Sequence, residues 1–191
     1  MVVEEIKKIF DVYFEAPLEI WELFYSKLSK RHFTKNEIIK RAGEKERFLN
    51  IISKGSAGIF INTDNRQICI DLCFENDFFC DNASFLSQKP TEIFTQALEE
   101  VSMLSIAFSD LSLLYKGSHI GLTIGKVAAE QSYIHKQNQQ IDLLSLTAEK
   151  RYLNLLKKQA NIVQRVPQKQ IASYLGITPE SFSRIRKQIF L

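Results

Sequence analysis

The segment from Val166 to Lys187 limits what this chain can fold into more than any other. Ile171, Ala172 and Leu175 give a first short helix an apolar face, and Ala172 is small enough to let a second helix approach. Gly176 stands four residues after Ala172, where the chain must turn sharply and a residue without Cβ is least strained. Thr178 then offers a hydroxyl N-cap, and Pro179 takes the first helical position, where its missing N–H costs nothing. Phe182, Ile185 and Ile189 are spaced to pack back onto the first helix. This is the form of a helix-turn-helix, whose second helix lies in the DNA major groove. Glu180, Ser181, Ser183, Arg184 and Lys187 are left facing outward, able to hydrogen-bond bases or phosphates. An ordinary helical hairpin needs only the apolar spacing; small residue, turn glycine and cap together favour the DNA-binding form.

Charge agrees. Residues 147–191 carry nine Lys or Arg against Glu149 and Glu180, a net of +7, while the preceding residues carry a net of −4. The formal +3 of the whole chain therefore conceals a basic tail on an acidic body, and a polyanion would be drawn to one end only. A solvated basic face would explain the charge alone.

The body reads differently. Residues 4–14 and 18–29 pattern as helices separated by Pro17, the second with a stripe of Ile20, Leu23, Phe24 and Leu28. From Arg31 to about Phe108 short strands alternate with turns: 37–40, 48–52, 57–61, 67–74 and 101–106, broken at 42–44, 54–56 and 62–65. Many short strands at regular spacing indicate an antiparallel barrel or sandwich. After Ser109 and Asp110 the pattern is helical to about Leu146, weakened in its first half by Gly117, Gly121 and Gly125. Ile120, Ile124, Val127, Ile134 and Ile141, with Gln131 and Asn138 between them, form a heptad-like stripe. That stripe fits a dimer seam with Asn138 fixing register, and a dimer places two recognition helices about one duplex turn (~34 Å) apart. A helix packed only on its own barrel is the alternative.

Cys69, Cys73 and Cys80 are odd in number and lie in strand-like sequence, which suggests reduced buried thiols in a cytoplasmic protein. The opening residues Glu4, Glu5, Lys7 and Lys8 are unlike a signal peptide, and no apolar run approaches a membrane span. No fourth thiol or neighbouring His completes a metal site. There is no Walker loop, nucleophile elbow or paired metal-ligand helix, and Glu99–Glu100 reads as solvated surface, so no enzyme activity is expected.

Strands, a long connecting helix and a helix-turn-helix together resemble the Crp/Fnr family of bacterial transcription regulators. The resemblance is carried by Leu146–Leu153 and Ile171–Ile185, with Gly43–Glu44, Lys54–Gly55 and Phe74–Phe79 where the family's barrel turns lie. It implies an α+β chain. Residues 1–109 would be a jelly-roll-like antiparallel β-barrel of the cyclic-nucleotide-binding type, 110–146 a long connecting and dimerisation helix, and 147–191 a winged-helix-like helix-turn-helix domain. Glu180 and Arg184 match the family's base-reading pair, able to meet cytosine N4 and guanine N7/O6. Pro179 stands where many members have a further arginine. Lys169, Gln170, Ser181, Ser183 and Lys187, with Thr178 at the cap, are expected against the phosphates. The sequence ends at Leu191, right after the second helix, where some members continue into a hairpin or helix. The implied partners are double-stranded DNA, a second copy of the chain and RNA polymerase, with no membrane.

Nucleotide-binding members carry a Gly-Glu pair before a short helix and an Arg followed by a small hydroxyl residue about ten positions later. Aligning through Ala97–Leu98 puts Cys80 and Asp81 at the first pair, followed by Asn82 and Ala83, and Thr91 and Glu92 at the second. Asp81 could meet a ribose, but the phosphate would lose its guanidinium and gain the Glu92 carboxylate. One lost charge-assisted pair costs on the order of 1.5–3 kcal/mol. Tight cyclic AMP binding is therefore not expected, and no other cofactor is implied. An iron–sulfur cluster lacks N-terminal cysteines, and His32, His119 and His135 are too scattered to suggest a haem ligand. An unidentified small molecule in the barrel and a barrel kept for structure alone both fit. The competing function is a stand-alone effector-binding module whose helix-turn-helix contacts protein.

Overall fold

The computed structural model describes residues 3–11, 15–117 and 119–189, apart from the side chains of Ile120 and Ile124. Helices α1 (Val3–Asp11) and α2 (Leu18–Ser26) lead into strands β1 (Ser29–Phe33), β2 (Ile38–Lys40), β3 (Phe48–Lys54), β4 (Ala57–Asn62), β5 (Gln67–Cys73) and β6 (Phe78–Phe79). The short helix α3 (Asn82–Ser87) precedes β7 (Ile93–Ala97) and β8 (Val101–Ala107). Helices α4 (Phe108–Gly117), α5 (His119–Ser145), α6 (Ala148–Lys158), α7 (Ile162–Arg165), α8 (Gln168–Tyr174) and α9 (Pro179–Ile189) follow.

The strands form two four-stranded antiparallel sheets, ordered β1-β8-β3-β6 and β2-β7-β4-β5. Their facing sides enclose Ile52, Ala57, Ile59, Phe79, Val101 and Met103. On one flank, Phe10 of α1 lies 4.8 Å from Trp21 of α2 in a tilted ring pair, and both join Ile51, Phe85, Leu104 and Ile106 in a second core. A third core is continuous from the β4–β5–β7 sheet (Phe60, Leu72, Phe94) to the tail (Tyr152, Leu155, Ile171, Phe182).

Two expectations are corrected. Residues 18–29 are not all helix, because the chain leaves α2 at Ser26 and Ser29–Phe33 pairs with β8 from Ser29↔Ser105 to Phe33↔Val101. The single helix expected over 110–146 is two, α4 ending at Gly117 and α5 running from His119. They pack on each other. A Cβ at Gly125 would lie 2.5 Å from Tyr115 Cζ, so a larger residue there would push the Tyr115 ring aside. At 27 residues, α5 is about 40 Å long. Of the expected seam, Ile134 and Ile141 are about half exposed; the side chains of Ile120 and Ile124 lie outside the described residues, as do positions 12–14 of the first expected helix.

Candidate nucleic-acid interface and barrel pocket

The tail is built from local signals. Gly176 has φ +70°, and the N–H groups of Gly176 and Ile177 donate to the carbonyls of Ser173 and Ala172, a Schellman ending for α8. Thr178 Oγ1 accepts the Ser181 N–H at 3.2 Å, capping α9. Ala172 and Phe182 are fully buried, and Phe182 meets Tyr152 of α6 edge-on at 5.0 Å, which fixes α9 against the bundle.

That packing leaves Glu180, Ser183, Arg184 and Lys187 exposed on α9, and Lys169 exposed on α8. The Glu180 carboxyl is held below the ordinary range by its own backbone N–H and by Thr178. Ser181 is half-buried with its hydroxyl beside Thr178 Oγ1 at 3.3 Å. Gln170 is placed differently from the expectation. Its side-chain N–H donates to Gln67 Oε1 of β5 at 2.9 Å, so it faces the barrel as well as the tail surface.

The basic tail is also partly used internally. Arg165 donates to Glu75 at 2.8 Å and to Glu99 at 2.7 Å, and its guanidinium lies 5.3 Å from the centre of the Phe74 ring. Arg151 donates to the carbonyls of Leu143, Leu146 and Leu175, binding the end of α5 to the α8 turn. Glu99, read as solvated surface, is thus half of a clamp between the barrel and α7. Edge strand β5 receives α8 as well, with Cys69 N–H donating to Ser173 Oγ at 2.9 Å.

In the barrel, Asp81 does not face open space as a ribose acceptor would. It caps α3, accepts from Thr91 Oγ1, and pairs with Lys40 Nζ at 2.7 Å, both partners of the ion pair being almost completely buried. Lys40 Nζ also donates to Thr91 Oγ1 at 2.9 Å and to the Ile93 carbonyl at 2.8 Å, which uses all three of its protons. Behind them Glu46 accepts from the N–H groups of Arg47, Phe48 and Asp81, and burial pushes its carboxyl above the ordinary range. Ala83 and Glu92 are exposed. Cys80 and Asn82 instead border a cleft of about 380 Å³ between the barrel and α5, shared with Cys73, Gln131, Ser132 and His135.

Residues 30–117 match the cyclic nucleotide-binding domain family. No curated protein sequence matches the chain. Among solved structures, FixK2 of Bradyrhizobium japonicum superposes with a TM-score of 0.73 at 17% identity, over 85% of this chain and 84% of that one. A Eubacterium rectale protein assigned to the Crp/Fnr family of transcriptional regulators gives 0.70 at 17% identity over 95% and 87%. CLP, the c-di-GMP-responsive global regulator of Xanthomonas campestris, gives 0.68 at 16% identity over 91% of each chain. The chain has the fold of the Crp/Fnr regulators, with residues 30–117 similar to a cyclic nucleotide-binding domain.

Within the Crp/Fnr fold, sequence reasoning missed Lys40, Glu46 and Arg165. Each meets its partners through long-range folding: Lys40 is 41 residues from Asp81, and Arg165 is 90 from Glu75. It also missed Leu122, Tyr133 and Leu144, all strongly exposed on α5. Their spacing of eleven residues, close to three helical turns, is the signal that could have found them. Among the described residues no helix is long and apolar enough to cross a membrane.

Proposed function

We propose that the chain is a homodimeric, sequence-specific DNA-binding transcription regulator whose barrel lacks a working cyclic-nucleotide site. The observation that carries this reading is the Glu180–Arg184 edge: two exposed, oppositely charged side chains four residues apart on a helix held rigidly by its cap and buried face. Arginine can grip guanine bidentately and glutamate can accept from cytosine; Lys169, Ser183 and Lys187 supply phosphate contacts. Double-stranded DNA, a second copy of the chain and, at promoters, RNA polymerase are the partners of this reading. Selection on pooled genomic fragments at moderate salt should retain specific sequences. Arg184→Ala should cost about 1–3 kcal/mol at one base position, while Lys187→Ala should weaken all sequences alike. Uniform binding across sequences, or none at low salt, would end this reading.

The barrel part of the proposal rests on Lys40. An incoming cyclic phosphate would have to take this cation from Asp81 and leave that carboxylate buried and unpaired. Micromolar cyclic AMP is expected to leave the melting midpoint unchanged, and a low-micromolar Kd by calorimetry would refute it. The docking of Gln170 and Ser173 on β5 favours a second reading, in which the helix-turn-helix serves protein contacts. That reading requires Arg184→Ala to be silent.

A further inference from the structure

A cavity of about 630 Å³ lies outside the barrel, where β5, the second half of α5, α6 and the α8–α9 turn meet. We propose that it is a binding site for a small anionic amphiphile, a carboxylate- or phosphate-headed molecule with an apolar body. Its volume falls within the ~300–1,000 Å³ of small-molecule sites. The wall is shaped by a β-bulge: Ile59 pairs with Asp71 and Phe60 with Cys69, which leaves Ile70 as the extra residue. The Ile70 carbonyl is taken by Gln139 of α5 at 3.0 Å, so helix and strand are held together at the bulge. Ile68 and Ile70 remain only half-buried, and Leu143, on the opposite wall, is 49% exposed. With Leu155 and the Tyr174 ring they form an apolar lining that the protein itself does not fill.

The polar groups of the wall decide the sign of the ligand. Lys136 is committed to Asp71 and Arg151 to three backbone carbonyls, yet Arg151 Nε is buried with no acceptor. Lys157 and Lys158, in the last turn of α6, line the cavity, are exposed, and have no hydrogen-bond or ion-pair partner among the described residues. Asp142 is the one carboxylate on the described wall. An anionic head at Lys157 and Lys158 with an apolar tail against Ile68, Ile70 and Leu143 satisfies both surfaces at once. Such a ligand would touch the long helix, the barrel edge and the DNA-binding tail together. The site does not depend on the DNA-binding reading, and its test contains no DNA.

The full chain is titrated with 8-anilinonaphthalene-1-sulfonate and followed by fluorescence, with decanoate, decyl phosphate and decanol as competitors. One saturable site per chain is expected, displaced by the two anions and not by decanol. Lys157→Glu combined with Lys158→Glu, both exposed, should weaken the dye by about tenfold or more at an unchanged melting midpoint. Asn154→Trp, which fills the cavity from α6, should abolish binding; if it does not fold, the charge reversal decides. Leu86→Glu, on the exposed side of α3 and away from the cavity, should leave the affinity intact. Unsaturable binding, equal displacement by decanol, indifference to the charge reversal, or loss of signal with Leu86→Glu would each overturn the proposal.

Discussion

Lys40 shows how one side chain sets the chemistry of a pocket. A buried ammonium is tolerable only when every proton has an acceptor, and here Asp81, Thr91 and Ile93 provide them. Lys40→Met would leave the Asp81 carboxylate buried without its cation and should cost about 3–5 kcal/mol in urea unfolding. Adding Asp81→Asn should recover a large part of that loss; additive losses in the double variant would show that the two side chains are not coupled. The Thr178 cap and the Gly176 turn were readable in sequence, because their partners lie within a few residues. Lys40 was not. Its strand is three residues long, and nothing in the spacing says that β2 will lay it beside the N-terminus of α3.

At the scale of elements, β5 is the piece on which the others converge. Asp71 receives Lys136 and lies 3.6 Å from His135 of α5, while Cys69 and Gln67 hold α8. Burial pushes the Asp71 carboxyl up, but hydrogen bonding from His135 and the charge and hydrogen bond of Lys136 outweigh it, holding it below the ordinary range. Its native value is therefore lower than its unfolded one. The stabilisation is complete at neutral pH and fades as the pH falls below about 4. Asp71→Asn should cost about 1–3 kcal/mol at pH 7, and the gap in melting midpoint from the native protein should narrow in acid. A gap constant down to pH 3 would argue against this role. Period-two patterning located most of the strands; β1 was missed because exposed Ser29, Lys30 and His32 carry no apolar alternation. Gly117 was noted as a weak point; that α5 turns back to set Gly125 against Tyr115 is a matter of tertiary packing the spacing does not encode.

For the whole molecule, the outer side of α5 is the surface left to explain. Tyr133 is 68% exposed, Leu144 79% and Ile141 51%, a density of apolar side chains that water does not favour, while Ile134 borders the cleft toward the barrel. Ile141→Glu with Leu144→Glu should convert a dimer to monomer in sedimentation, and DNA affinity should drop by about a hundredfold or more as the second half-site contact is lost. An unchanged sedimentation coefficient would argue against the proposed dimer. The heptad-like stripe could be read from one helix, yet its Gln131, Ile134 and Asn138 border the cleft between α5 and the barrel; the exposed arc of Leu122, Tyr133 and Leu144 depends on which side the barrel covers.

The core continuous from Phe60, Leu72 and Phe94 to Tyr152, Leu155 and Ile171 has a consequence for how this molecule can be cut. A fragment starting at residue 147 would carry half of an oily interior into water, and it would forfeit the two carboxylates that anchor Arg165. The carboxy-terminal helices are thus not a cassette to be swapped onto another barrel; their folding is borrowed from the one they pack against.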